Sequence, residues 1–328
     1  MKKSFLISSV LLLAGLLFST QAQAQGRIEL RRTNSEQQCS NVTTDGFTAT
    51  FSFSSIESAK VSTEKGVFSS IYMENTYPTG HAGEPSLPAA NQLIAIPYGA
   101  TNVTVNVKNY STSTYKLSDY NIGTLYPQQP SVRKDQKPED VKFIYNEQAY
   151  ASKAYSNRPI AELNFQGTLR GIQVASLTIN PVSYNASENT IQVYNDIEVE
   201  VSYGQYDKSA AQSEFDRTAS IYFKGIYNAM FNWRDDVYSQ HPDIWNGEQP
   251  VKMLVITHRD FQNTIQDWVN WKITKGIHMD VHYTDESAVG TTAFSIKSFI
   301  QSKYQSDAPT FLVIIGDIDK VPASAKGS

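Results

Sequence analysis

The residues best suited to chemistry in this 328-residue chain stand directly after three apolar runs near its C-terminal end. They are Thr257-His258-Arg259 after VKMLVIT, Thr284-Asp285-Glu286 after IHMDVHY, and Gly316-Asp317-Ile318-Asp319 after TFLVII. An imidazole in such a place can serve as a general base if a hydroxyl or thiol faces it. The sequence places no serine or cysteine opposite His258, so a surface histidine is the simpler reading. Asp317 and Asp319 offer carboxylates to a hard cation such as calcium, which gathers about six to eight oxygen ligands. Two carboxylates fill part of that shell, and a solvated turn is the competing reading. His278 and His282, four residues apart in a strand, would lie about 13 Å from each other, too far to share a zinc. Cys39 is the only cysteine, set in NSEQQCSNVTT with no histidine near it in sequence. A nucleophilic thiol needs an activating neighbour, and none is evident there.

The elements that must position these groups follow a βαβαβ pattern from Val251. VKMLVIT is nearly continuous in apolar residues, as a strand covered on both faces requires. Phe261, Ile265, Trp268, Val269 and Lys272 keep helical spacing, and Gly276 stands where that helix should end. IHMDVHY is a second strand. Thr291 or Thr292 can cap a second helix with Ile296, Phe299, Ile300 and Lys303 on its inner face, and TFLVIIG closes the set. Two right-handed crossovers predict strand order 2-1-3, the beginning of a doubly wound sheet whose ligands gather beyond the carboxyl ends of the strands. Three parallel strands with two helices leave an edge or a face unpaired, so residues 251–328 are expected to be an incomplete α/β segment.

Upstream the period is different. From about residue 45 to 204 large residues alternate, as in Val103, Val105 and Val107 or Ile197, Val199 and Val201, with turns rich in Pro, Gly, Asn and Ser between the runs. This predicts an all-β antiparallel sandwich or barrel over residues 41–204, preceded by a flexible N-terminus at 25–40. Residues 205–250 are expected to be a helical connector, because Ile221, Ile226, Met230 and Trp233 fall at nearly helical intervals. Its last part, RDDVYSQHPDIWNGEQP, reads as exposed.

Composition narrows the function classes. With 40% hydrophobic and 18% charged residues the chain is globular in type, and a net charge of -4 without a basic stripe argues against nucleic acid as a partner. Lys2 and Lys3 precede an apolar run from Phe5 to Phe18, and Ala22-Gln23-Ala24 supplies the small residues that signal peptidase needs, so residues 1–24 are expected to be removed after Ala24. Export through Sec to the cell surface or medium is therefore the expected localisation. No later stretch is long enough to span a bilayer, and a single cysteine excludes an internal disulfide.

The segments VKMLVITHRDFQNTIQDWVNWKITKGIHMDVHY, IKSFIQSKYQ and FLVIIGDIDKVPA resemble, in this order, the opening of the catalytic domain of gingipain-like cysteine peptidases. GEPSLPAANQLIAIPYGAT is similar to the G-x-P-x-L-P element of that family's β-rich propeptide. The resemblance implies a secreted zymogen acting on protein or peptide substrates, with a propeptide that inhibits and helps to fold a caspase-like domain by intramolecular contact. It implies a catalytic His and Cys on later strands, beyond Ser328. Neither His258 nor Cys39 matches those positions, so no catalytic residue is assigned and the chain as given is expected to be inactive. Asp317 matches the I-G-D aspartate that the resemblance implies is a calcium ligand. For relatives with arginine specificity the resemblance implies processing after a basic residue shortly before the first catalytic strand, and Arg234, then Arg217, are the nearest candidates. The alternative from another class is a secreted, non-catalytic β-sandwich inhibitor or surface adhesin.

Overall fold

In the computed structural model the described residues are 26–137, 141–239 and 250–324. The expected signal peptide and its cleavage point after Ala24 lie outside them. The strands before residue 203 are β1 (Gly26–Glu29), β2 (Glu36–Thr43), β3 (Gly46–Ser52), β4 (Ser55–Thr63), β5 (Gly66–Tyr72), β6 (Tyr77–Thr79), β7 (Leu87–Pro97), β8 (Thr104–Lys116), β9 (Ala161–Leu169), β10 (Ile172–Ile179), β11 (Val182–Asn185) and β12 (Thr190–Ser202). They pair antiparallel in three sheets: β1-β4-β5, β6-β7-β10-β9, and β11-β12-β3-β2 with β8 along the other side of β12.

Alternation in sequence becomes alternation in burial. Along β12, Ile191, Val193, Asn195, Ile197, Val199 and Val201 are buried and every residue between them is half-exposed. The faces meet in one core with Phe51, Phe53, Ile56, Ile94 and Leu177 at its centre. Burial of a side chain such as phenylalanine stabilises a fold by roughly 1.5–3 kcal/mol.

Two sequence expectations are corrected. Residues 25–40, read as a flexible N-terminus, contain β1 and much of β2. Ile28 is fully buried, and β1 is held to β4 in register Ile28↔Ile56. The stretch read as a flexible tail because β2 is an edge strand pairing only with β3, and such a strand carries polar residues on its open side. Residues 237–239, read as exposed, are half-buried or buried, whereas Arg234, Asp235 and Asp236 are exposed as expected. After α1 (Glu147–Ala151), α2 (Lys208–Thr218) and α3 (Lys224–Asn228), the short α4 (Asp235–Tyr238) brings Tyr238 against Trp233, rings 5.0 Å apart, and Trp233 stacks on Tyr227 at 4.8 Å. Together with Phe215 these rings form a second small core beside Ala95 and Ile172.

The last part has the predicted topology. β13 (Val251–Thr257) lies between β14 (Ile277–Tyr283) and β15 (Phe311–Ile315), all parallel, in order 2-1-3. Trp268 of α5 (Gln262–Thr274) packs on one face with Met253 and Val255, and α6 (Ala293–Asp307) covers Leu254 and Ile256 on the other with Ile296. Thr292 and Ser295 form a capping box at the start of α6, and Gly276 takes the left-handed conformation, φ +79°, just past α5. Leu312 and Ile314 of β15 are exposed. No helix among the described residues is long and apolar enough to cross a membrane.

Candidate functional site

The carboxyl ends of β13, β14 and β15 are brought together as the sequence pattern implies, and buried hydroxyls join them. The Thr257 hydroxyl donates to Ile315 O at 2.9 Å, the Thr284 amide donates to Thr257 O at 2.8 Å, and the Thr284 hydroxyl donates to Lys320 O at 3.2 Å. Both threonines are buried, so these bonds are shielded from competing water.

Charges lie above this floor. Arg259 donates to Asp285 at 2.7 Å and stacks over the Tyr283 ring, 4.3 Å from its centre, while Lys320 reaches back to Asp260 at 2.5 Å. The hydrogen bond from Lys320 holds the Asp260 carboxyl below its ordinary range, and the bond from Arg259 does the same for Asp285. Lowered carboxyl values mean that both bridges are in place near neutrality and are lost only as the pH falls below the usual carboxylate range. The two pairs tie the loops after the three strands into one rim.

His258 sits in that rim as a cap. Its Nδ1 accepts the Asp260 amide at 3.2 Å and lies 3.3 Å from the Asp260 carboxylate, at the start of a short 3-10 turn, Arg259–Phe261. An imidazole committed to a backbone amide is a structural cap before it is a base. Cys39 is nowhere near this rim in the fold. It belongs to β2 and packs against the antiparallel core, where burial pushes its thiol up to about 11 despite the opposing charge of Arg234. Iodoacetamide should therefore alkylate Cys39 in the folded chain at pH 8 about 100-fold more slowly than in the urea-unfolded chain, on thiolate fraction alone. Equal rates by mass spectrometry would show that the thiol is not sheltered.

Asp317 is exposed at the head of its turn. Its Oδ1 accepts the Ile318 amide at 2.7 Å, and its carbonyl accepts the amides of Lys320 at 2.9 Å and Val321 at 2.8 Å. Among the described residues no three His, Cys, Asp or Glu side chains are grouped so as to hold a metal ion. Asp317 therefore belongs to no such group among the described residues. His282 stands between two carboxylates, 2.9 Å from Asp280 and 2.9 Å from Glu286, rather than pairing with His278.

Arg234 is exposed, but the bond after it is held at both sides. Trp233 and Tyr238 are buried, and Arg234 O accepts the amides of Val237 at 3.1 Å and Tyr238 at 3.0 Å. A peptidase needs several residues in extended form, so cleavage there requires this turn to open first.

Comparison with known proteins supplies the family. The model of the C25 propeptide matches residues 30–231, and that of peptidase family C25 matches residues 246–325. The chain belongs to the gingipain-type C25 precursors. It is 42% identical to Lys-gingipain of Porphyromonas gingivalis over 318 residues, which are 95% of this chain and 18% of that protein. With gingipain R2 of the same organism the identity is 24% over 331 residues, 98% of this chain and 42% of the relative. A solved structure from work on the zymogenic latency of gingipain K of P. gingivalis matches with a TM-score of 0.52 and 40% identity, covering 55% of this chain and 98% of that one. The chain thus spans less than a fifth of the length of Lys-gingipain and holds a gingipain-like propeptide together with the start of a C25 domain. Matches on both parts do not favour a free-standing inhibitor or adhesin.

The chain carries long-range contacts that the sequence pattern does not reveal. Lys320 and Asp260 are sixty residues apart, and Arg170 and Thr310 one hundred and forty; nothing local signals either pair.

Proposed function

We propose that residues 41–204, followed by the helical segment 205–250, act as inhibitor and folding aid for a caspase-like cysteine endopeptidase domain that begins within residues 251–328. The observation that carries this reading is the docking of the antiparallel body onto the parallel unit, in a chain whose two parts match the propeptide and peptidase models of one family. Phe223 of the body lies against Phe311 of β15 with ring centres 6.1 Å apart, and Tyr222 does so at 5.6 Å. The product would act on protein or peptide substrates outside the cell, after Sec export with cleavage following Ala24. Conversion after Arg234 would follow opening of the turn that holds it. The thiol and imidazole of the reaction are assigned to neither Cys39 nor His258, since a sheltered thiol and a capping imidazole on different parts of the fold cannot pass a proton between them. Asp317 would contribute its carboxylate to a calcium ion whose other ligands are not grouped with it among the described residues.

The test uses the purified 328-residue chain as an inhibitor of a related C25 peptidase such as Lys-gingipain. Inhibition at submicromolar concentration is expected, with no peptide hydrolysis by the chain itself and no change in either result for Cys39→Ala. Failure to slow the enzyme at about 50 μM would remove the inhibitor role, because a specific interface of ordinary size binds much more tightly than that.

A further inference from the structure

We infer that the tip of the β9–β10 hairpin is a latch, in which the Arg170 guanidinium grips main-chain carbonyls at the start of β15 and so holds the third parallel strand in place. The observation begins with backbone conformation. Leu169 pairs with Ile172, leaving Arg170 and Gly171 as a two-residue loop with φ +42° and +78°. Two positive φ values suit Asn-Gly or Gly-Gly, and arginine there is strained. Gly171 is required by space as well, since a Cβ would fall 2.4 Å from the Phe215 Cα. A strained residue persists where its side chain has work elsewhere.

That work is visible. Arg170 donates to Thr218 O at 2.7 Å within the body, to Pro309 O at 3.0 Å, and to Thr310 O across the junction. The guanidinium lies over the Phe223 ring at 4.4 Å, and the Arg170 carbonyl accepts the Tyr227 hydroxyl at 3.1 Å. Beside it Arg217 donates to Tyr304 O in the last turn of α6, where carbonyls lack helical partners. The acceptors at residues 304, 309 and 310 lie in the last turn of α6 and in the connection that leads from it to β15. A fork of donors that meets carbonyls recognises backbone geometry, not side-chain identity. The latch therefore fits a βαβ unit that is already folded and stabilises it against the unfolded one.

Position gives the latch its meaning. It acts at the amino end of β15, whereas the rim of Thr257, Thr284 and Asp317 is at the carboxyl ends. This contact supports folding of the parallel unit without covering the rim, a role that rests on the propeptide reading above and separates its folding aid from its inhibition.

The experiment is hydrogen exchange on the full 328-residue chain, comparing wild type with Arg170→Asn and Arg170→Lys. Asparagine suits the left-handed turn, so the hairpin should be as well protected as before or better. The expected result is exchange about 10-fold faster across Phe311–Ile315 in Arg170→Asn, with Ile172–Ile179 unchanged, and a smaller increase in Arg170→Lys. Exchange across Phe311–Ile315 within twofold of wild type in Arg170→Asn would overturn the latch. Wild-type chain that fails to inhibit a C25 peptidase would overturn the inhibitor role while leaving the exchange result to stand.

Discussion

Replacing Asn232 with alanine should raise the rate of trypsin cleavage after Arg234 about 100-fold. The Asn232 side chain accepts the Ala95 amide at 2.8 Å and donates to Ala95 O at 2.7 Å, so one side-chain amide copies a strand partner for β7. Its amino group is also 2.7 Å from the Tyr203 hydroxyl and 2.9 Å from that of Tyr238, and all of these groups are buried. Alanine leaves the Ala95 amide without an acceptor and withdraws the hub that holds Tyr238, at a cost of about 3 kcal/mol. If that cost falls mainly on the docked form of the Trp233–Tyr238 turn, the open form gains about two orders of magnitude in population, and proteolysis follows that population. The measurement is the appearance of the fragment ending at Arg234 by mass spectrometry. An unchanged rate, with cuts at other basic residues as the internal standard, would mean that this anchor does not guard the bond.

Asn232 also shows where sequence patterns stop being informative. Asn195 does the same thing elsewhere: its side chain accepts the Phe53 amide at 2.8 Å and donates to Phe53 O at 2.8 Å. Each asparagine replaces a missing stretch of strand from about 140 positions away. Periodicity reports which face of an element is buried, and it was sufficient for β12, for β13 and for the order of the parallel strands, because those depend on local spacing and handedness. It could not anticipate a polar side chain closing a strand edge from a position distant in sequence. For the same reason the stretch from Arg234 read as an exposed connector: it is polar by composition, while the burial of Tyr238 depends on partners in β7 and at Tyr203.

The candidate site divides in a similar way. That Thr257, Thr284 and Asp317 meet at one end of the sheet is a consequence of parallel topology and could be read from three apolar runs. How they are joined could not. The bridge from Lys320 to Asp260 depends on the turn made possible by Gly316, φ +143°, which brings Val321 back beneath the sheet. His258 reads most simply as a surface histidine, and what the sequence does not show is the work it does there, capping the turn through the Asp260 amide.

The two parts of the chain should also differ in stability, and Ile256→Ala is the substitution that separates them most. Ile256 is fully buried in the central strand, in a small cluster with Leu254, Val289, Ile296 and Val321. Removing three carbons from such a site costs about 3–4 kcal/mol. On the usual per-residue scale a unit of this size holds only about 4–11 kcal/mol in all. The parallel unit of Ile256→Ala should therefore melt roughly 15–25 °C below its wild-type temperature, while the antiparallel body, with its larger core, keeps its own transition. Calorimetry would show two separated peaks, and hydrogen exchange would place the early one at β13 to β15. A single peak displaced as a whole would instead mean that Arg170, Arg217, Tyr222 and Phe223 couple the two parts so strongly that neither unfolds alone, and the propeptide would then set the stability of the unit it helps to build.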